Sequence, residues 1–188
     1  MSIYRFTSAD MAEVKRGFTL VETLIAITVL TLSIVGPLQI VQGVLNSAYN
    51  ARDQLIGAGL AQEGMEFVRE RRDTNYLTNV RYGSSYTWMY GLDGTLGEAN
   101  CYTSNCAVDP QAGIFLPCGS SSCTPAFLYL DGTTYRYNNQ FLGTATKFIR
   151  TLRLTQISST ETLVTITVTW ENHGARSVVL QENLRNWQ

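Results

Sequence analysis

The chain has little of what enzymes and nucleic-acid-binding proteins depend on. Its 188 residues include a single histidine, His173, at a predicted hairpin turn where we expect an exposed side chain and not a general base. No nucleophile motif, phosphate-binding loop or dinucleotide fingerprint is present. Lys and Arg number 14 against 15 Asp and Glu, a formal net charge of −1, so no basic surface for nucleic acid is indicated. We therefore expect neither an enzyme nor a cofactor-binding protein.

Charge is also nearly absent from one long stretch near the N-terminus. From Phe18 to Val35 the sequence is apolar except for one carboxylate, Glu22, and a few hydroxyls, and Lys15 and Arg16 precede it. As a helix rising about 1.5 Å per residue, this stretch can cross most or all of a bilayer's hydrocarbon core. A carboxylate near the middle of a bilayer costs about 2.5–3.5 kcal/mol. We therefore expect Glu22 to have a partner or a function.

The residues before this run do not form an ordinary secretory signal. Such a signal has its apolar core before the cleavage site, whereas residues 1–17 are polar and the apolar run follows Gly17. Lys15 and Arg16 lie on the flank that the positive-inside rule assigns to the cytoplasm. We expect the rest of the chain on the far side of the membrane. An uncleaved signal anchor is the alternative interpretation.

The string Gly17-Phe18-Thr19-Leu20-Val21-Glu22 resembles the cleavage signal of type IV prepilins. The resemblance implies that an aspartyl prepilin peptidase cuts after Gly17 and methylates the new amine of Phe18. It also implies that Glu22 pairs with the terminal amine of a neighbouring subunit, because a carboxylate is tolerated in an apolar layer when a cation pairs with it. The implied partners are other pilin subunits, the peptidase, the assembly machinery and the inner membrane.

The helix is predicted to continue well past the membrane, since residues 39–72 contain no proline and many helix formers. Gly36-Pro37 predicts a kink, with a break into two helices as the alternative. We expect residues 1–17 to be a cleaved leader, 18–38 a transmembrane and assembly helix, 39–73 the outer half of that helix, and 74–188 a globular β-rich domain.

The outer half carries apolar residues on two sides, which suggests a second contact besides the domain. One side has Val44, Ala48, Ala51, Leu55, Ala58 and Met65; the other has Tyr49, Ile56, Leu60 and Phe67. Glu63 and Glu66 are interpreted as ordinary charged surface positions, and Arg69, Arg71, Arg72 and Arg81 as part of a solvated helix end. The stretch Gly59 to Tyr76 resembles the Leu-Ala-Gln-Glu-Gly region of a subset of bacterial minor prepilins.

After Asp73 alternating hydrophobic residues predict strands. Asp131-Gly132 predicts a two-residue hairpin turn between Phe127–Leu130 and Thr133–Tyr137. Asp93-Gly94 and Asp131-Gly132 are faintly similar to calcium loops, but turns explain them. Three further strands are predicted at Lys147–Ile157, Glu161–Trp170 and Arg176–Leu184, with Leu163, Ile166, Val168 and Trp170 as core. The last strands resemble those of PilV-like and GspI-like minor subunits, and the expected fold is α+β, a pilin fold with an antiparallel sheet on the long helix.

Four cysteines fall in one loop-rich region: Cys101, Cys106, Cys118 and Cys123. An even number beyond the membrane favours disulfides over a four-cysteine zinc site, for which four intervening residues per pair is a wide spacing. Three pairings are open, and neighbouring pairs are slightly favoured over the nested one.

Three functions stay open from the sequence. The first is a minor subunit of a type IV pilus at the cell surface. The second is a pseudopilin of a type II secretion system, working as a periplasmic filament. The third is a membrane-anchored adhesion module whose loop from Tyr76 to Cys123 binds a surface ligand.

Overall fold

The computed structural model describes residues 17–95, 99–118, 123, 126–134, 136–140, 142–172 and 174–186. Residues 1–16 of the predicted leader and the predicted turn residue His173 lie outside these ranges. The architecture is α+β, as predicted: one long N-terminal helix is followed by an antiparallel sheet. By its internal contacts the chain divides into two units, Met1–Ser47 and Ala48–Gln188. The elements are α1 Leu20–Tyr82, β1 Cys106–Asp109, β2 Ile114–Pro117, β3 Phe127–Leu130, β4 Tyr137–Asn138, β5 Thr144–Ser158, β6 Glu161–Glu171 and β7 Ala175–Arg185.

Helix α1 is continuous through Pro37, so the alternative of two separate helices is wrong, while the kink stays a prediction. It ends at Tyr82, nine residues beyond the predicted end at Asp73. Gly83 ends it with φ 66°, a left-handed conformation that glycine adopts without strain. The extra turns persist because Asn75 is buried and its Nδ2 donates to the carbonyls of Trp88 and Tyr90, at 3.3 and 3.1 Å.

The sheet is built around β5. One edge of β5 pairs with β6, which pairs in turn with β7; the other edge pairs with β1 and β3. The three long predicted strands are confirmed, each extended by one to three residues at an end. Strands β1 and β2, between the cysteines, were not predicted.

The hairpin between β3 and β4 is wider than the sequence suggested. Leu130 pairs with Tyr137, so residues 131–136 form the loop and the predicted two-residue turn is wrong. The reason lies in Asp131, whose carboxylate accepts Thr133 N at 2.8 Å and Thr134 Oγ1 at 2.7 Å. These bonds stabilise an Asx-type turn that occupies more residues than a type I′ turn.

The core lies between α1 and one face of the sheet. Along β6, buried and half-buried residues alternate, and Ile166, Val168 and Trp170 are buried as predicted. Leu163 is an odd number of positions from these residues, so its side chain lies on the other face of the sheet, where it is half-buried. Its predicted placement in the core is wrong. The two apolar sides predicted for the outer half of α1 are not separate surfaces. Leu60 and Met65, assigned to opposite sides, are both buried.

Two glycines explain why the docked face of α1 was misjudged. A Cβ on Gly57 would lie 2.8 Å from Trp170 Cζ3, and one on Gly64 would lie 3.3 Å from Arg150 Cδ. Gly57 and Gly64 therefore let the sheet approach the helix backbone closely, and they belong to the buried stripe that hydrophobicity alone does not mark.

Polar contacts also attach the sheet to the helix. Lys147 Nζ and Asn172 Nδ2 both donate to Asp53 Oδ2, at 2.6 and 2.9 Å. Arg71 Nη2 donates to Gly113 O at 2.7 Å. The sequence analysis placed Arg72 with Arg69, Arg71 and Arg81 in a solvated helix end. That prediction is wrong for Arg72, which is buried.

Disulfides join Cys101 to Cys106 and Cys118 to Cys123, the neighbouring pairing that the sequence slightly favoured. Cys101 and Cys106 are fully buried within the core. The first bridge therefore attaches the start of β1 to the segment that precedes it.

Candidate assembly and processing segment

The three residues before α1 lie outside the helix. Gly17, Phe18 and Thr19 have no regular secondary structure and are exposed, with 80% of the Phe18 side chain accessible. The peptide bond between Gly17 and Phe18 is therefore not part of the helical hydrogen-bond ladder. A protease can bind a non-helical segment of this kind without first unwinding a helix.

Thr19 defines the start of the helix. Its Oγ1 accepts a hydrogen bond from Glu22 N at 3.3 Å, and its carbonyl accepts one from Thr23 N at 3.2 Å. Thr19 is thus the N-cap and Glu22 the third helical residue, the spacing of a capping box. Our sequence reasoning did not single out Thr19, although the pattern Thr-x-x-Glu before an apolar run is the signal for it.

Glu22 is the only charged residue from Phe18 to Ala51. It lies exposed in the first turn of α1, where the amide dipoles favour a negative charge. Gly17, Phe18 and Glu22, the three residues predicted for processing and assembly, are therefore adjacent at the start of the helix. A carboxylate in this position can pair with a cation that enters the same apolar layer.

The helix around Glu22 presents apolar side chains in every direction. From Leu20 to Leu45 its large hydrophobic side chains are at least half exposed, and by length and composition this helix can cross a membrane. Its hydroxyls donate to its own carbonyls: those of Thr23, Thr28, Thr31 and Ser33 reach the residue three positions earlier at 2.8–2.9 Å. Such a helix suits a lipid bilayer or a bundle of similar helices, because these hydroxyls need no outside acceptor.

Glu63 and Glu66, in the outer half of α1, form ion pairs within the fold. Glu63 and Glu66 are exposed, as predicted, but Glu63 pairs with Arg150 and Glu66 with Arg69. Hydrogen bonding to Glu182 raises the pKa of the Arg69 guanidinium. Among the described residues, no group of three or more His, Cys, Asp or Glu side chains could hold a metal ion.

The two Asp-Gly turns hold their own loops. Asp93 accepts hydrogen bonds from Thr95 and Thr87, and Asp131 from Thr133 and Thr134. The bond from Thr133 N, with that from the Thr134 hydroxyl, lowers the pKa of Asp131 below its ordinary value. Both carboxylates thus stabilise their own loops, although the loop at Asp131 is longer than the predicted two-residue turn.

The family model of the prokaryotic N-terminal methylation motif matches residues 14–36. These residues include Gly17, Phe18, Thr19 and Glu22. The motif indicates a precursor of the type IV pilin or pseudopilin type, a structural class. No curated protein and no solved structure matches the chain.

Proposed function

We propose that the chain is a structural subunit, a minor pilin, of a type IV pilus-like filament. The observation that carries this proposal is the juxtaposition at the start of α1: a non-helical Gly17–Phe18 bond, then a lone carboxylate at Glu22, then an uncovered apolar helix. A prepilin peptidase removes residues 1–17 and methylates Phe18. The mature helix then packs among the helices of other subunits.

The role of Glu22 follows from the cost of an isolated charge. An unpaired carboxylate deep in a bilayer costs about 2.5–3.5 kcal/mol, and an amine in the same layer offsets that cost. The new N-terminal amine of a neighbouring subunit is such a cation. Pairing of Glu22 with this amine therefore determines the position of each subunit along the filament, while the apolar surfaces of the helices pack together.

The precursor lies in the inner membrane as a single span, and the unit that begins at Ala48 lies outside the cytoplasm. Lys15 and Arg16 support this orientation through the positive-inside rule. The paired cysteines support it too, because disulfides persist in oxidising compartments. The assembly machinery then extracts the processed subunit into the filament.

The proposal is tested by comparing Glu22→Ala with Thr28→Ala in the full chain. Thr28 is a matched control because it lies in the same apolar helix and its hydroxyl donates to Ile25 O of that helix. We expect both variants to be processed, and only Glu22→Ala to be depleted from the sheared filament fraction in immunoblots. Incorporation of Glu22→Ala at the level of Thr28→Ala contradicts the pairing role.

A second experiment separates the pilus from a secretion pseudopilus. Antibody to the chain should label surface filaments, and deletion of the gene should leave type II secretion intact. A secretion defect with surface filaments unchanged would instead assign the subunit to a secretion system.

A further inference from the structure

Strand β7 forms an open edge of the sheet. Within the part of the chain that the structure describes, β7 pairs with β6 and with no other strand. The pairing runs from Ala175 opposite Glu171 to Arg185 opposite Glu161 without a shift in register. Proteins usually block such an edge with proline, lysine, a bulge or a short strand. Because β7 has eleven residues, no proline and no lysine, and pairs without a bulge, another strand can add to it.

The register shows which backbone groups of β7 point outward. Asn186 N donates to Thr160 O at 2.8 Å and Asn172 N donates to Gly174 O at 3.1 Å, at the two ends of the β6–β7 pair. Along an antiparallel strand, residues that bond to the partner alternate with residues whose N–H and C=O point away from it. Because the register does not shift between these ends, the even-numbered residues of β7 bond to β6. The outward-pointing N–H and C=O groups are called the β7 edge and belong to Ala175, Ser177, Val179, Gln181, Asn183 and Arg185.

Two long polar side chains of β7 are directed away from this edge. Gln181 Nε2 donates to Thr165 Oγ1 at 3.1 Å, which draws the side chain over the sheet toward β6. Arg69 Nε donates to Glu182 Oε1 at 3.0 Å, which holds that carboxylate toward α1. The odd-numbered residues of β7 are exposed, whereas Thr165 and Thr167 of β6, on the same face, are half-buried. A row of backbone groups spaced in this way is matched by another extended chain, which binds by adding a strand.

A groove of about 500 Å³ lies between β7 and α1. It is lined by Leu180 and Glu182 of β7 and by six residues of α1 that run from Gly59 to Arg69. Residues of β6 are not among its described lining, so the groove lies on the open side of β7. The even-numbered Val178 and Leu180 face α1 and pack against the core. Alternate side chains of an added strand would therefore enter this groove.

One end of the groove is acidic. Arg69 contacts both Glu66 and Glu182, so two carboxylates share one guanidinium and one negative charge is in excess. Arg150 and Arg185 pair with other carboxylates and do not neutralise it. The side chain of Glu66 is 68% exposed and that of Glu182 is 32% exposed, so a cation can approach both. The groove therefore favours a basic side chain at this end.

We propose that the β7 edge accepts an extended segment of a different protein, which pairs antiparallel and carries a basic residue two positions before an aliphatic one. A basic residue opposite Glu182 places the residue two positions later opposite Leu180, and both side chains then lie on the groove side. The cation offsets the excess negative charge. The aliphatic side chain packs on Leu180.

A second copy of this chain is the competing occupant, since Arg176 and Val178 have the required order. Antiparallel pairing of two identical β7 edges creates a two-fold axis normal to the sheet, and this axis reverses the direction of α1 in the second copy. Two chains that enter one membrane in the same orientation have α1 helices that run the same way. The choice of a different protein therefore rests on the membrane orientation proposed above, whereas the open edge itself does not.

The test is fluorescence anisotropy of a labelled, end-capped peptide, Thr-Arg-Thr-Val-Thr-Val-Thr, titrated with the full unprocessed chain in detergent. A matched peptide has Glu in place of Arg. Val179→Pro removes an outward N–H without removing a ladder bond to β6, and Val179→Thr keeps that N–H. Glu66→Lys reverses a charge at the groove, and Glu70→Lys reverses an exposed charge of α1 that does not line it. Near-ultraviolet circular dichroism of each variant reports whether the fold is kept.

We expect the Arg peptide to bind the wild type with a Kd below about 1 mM and the Glu peptide to bind about tenfold more weakly. Val179→Pro should abolish binding, and Glu66→Lys should weaken it about fivefold. Val179→Thr and Glu70→Lys should bind like the wild type. Absence of binding by the Arg peptide, or equal affinity for the two peptides, overturns the proposal.

Unchanged binding by a folded Val179→Pro variant also overturns the proposal. If Val179→Pro does not fold, equal affinity of Glu66→Lys and Glu70→Lys for the Arg peptide has the same consequence. Dimers of the chain that Val179→Pro dissociates, in a protein that binds neither peptide, would assign the edge to a second copy instead. Processing and filament incorporation do not enter this measurement, so its failure leaves the proposed function standing.

Discussion

Arg150 Nη1 donates to Glu63 Oε2 at 2.6 Å, joining the fully buried centre of β5 to the exposed side of α1. The same guanidinium donates to Leu60 O at 3.1 Å and Val108 O at 2.8 Å. Burial lowers the pKa of Arg150, an effect that Glu63 opposes. One cation thus connects the helix, β5 and β1.

Replacing Arg150 by alanine should therefore destabilise the fold by about 3–5 kcal/mol, because it leaves a cavity and two carbonyls, of Leu60 and Val108, without their donor. Glu63→Ala should cost less, about 1–2 kcal/mol, since that carboxylate is 43% exposed and Arg150 keeps two carbonyl partners. Arg153→Ala, which removes a half-buried arginine of the same strand, is the control. Chemical denaturation in detergent measures all three, and equal stability of Arg150→Ala and Arg153→Ala would contradict this account.

Substitutions of two glycines in α1, Gly57 and Gly59, give a matched pair of variants. Gly57→Ala places a methyl group 2.8 Å from the Trp170 ring, and overpacking of this kind costs about 1–3 kcal/mol. Gly59→Ala meets nothing within 4 Å, so it should stabilise the helix by about 0.5–1 kcal/mol. Thermal melting of both variants tests the close helix–sheet contact, which is disproved if the two changes have the same sign.

Removal of the helix cap should loosen the first turn of α1. Thr19→Ala deletes the acceptor for Glu22 N and should cost the helix end about 1 kcal/mol, whereas Thr19→Ser keeps an acceptor. Amide hydrogen exchange in micelles should be faster at Glu22 in Thr19→Ala and nearly unchanged in Thr19→Ser. Unaltered exchange in Thr19→Ala would show that Thr19 does not cap the helix.

Tyr102 makes the fold sensitive to alkali. Burial raises its pKa, against the hydrogen bond with Thr162, which lowers it. Because the neutral phenol is favoured in the folded state, its contribution is complete below about pH 10 and is lost as pH rises through the folded pKa. Tyr102→Phe should thus lose about 1 kcal/mol at neutral pH and show a shallower alkaline decline. Burial also raises the pKa of Tyr137, so part of the alkaline loss of stability should remain in Tyr102→Phe. An unchanged slope of stability against alkaline pH in Tyr102→Phe would contradict this assignment.

The sequence predicts the long helix because residues 18–35 form an apolar run and residues 39–72 contain no proline and many helix formers. It predicts strands β5 to β7 because hydrophobic residues alternate along them. Strands β1 and β2 have four residues each, too few for a periodic signal, and disulfide-linked segments adjoin them. The helix end was misplaced because Thr74 and Asn75 are poor helix formers. Tertiary hydrogen bonds of Asn75 to the following loop override that preference.

The candidate segment was easier to predict from the sequence than the packing of α1 against the sheet. Gly17, Phe18 and Glu22 follow a contiguous motif, so their proximity needs no tertiary information. The roles of Gly57, Gly64 and Arg150, by contrast, depend on partners far away in sequence. A buried arginine on β5 has no local signature, because its acceptors come from α1 and β1.

The mass of the N-terminal peptide, in cells with and without a prepilin peptidase, tests the central claim most directly. We predict a peptide that starts at Phe18 and carries one added methyl group, present only when the peptidase is present. Detection of the intact leader, residues 1–17 joined to Phe18, in both strains would contradict the claim. The chain would then be a signal-anchored protein, and the assembly role of Glu22 would be abandoned.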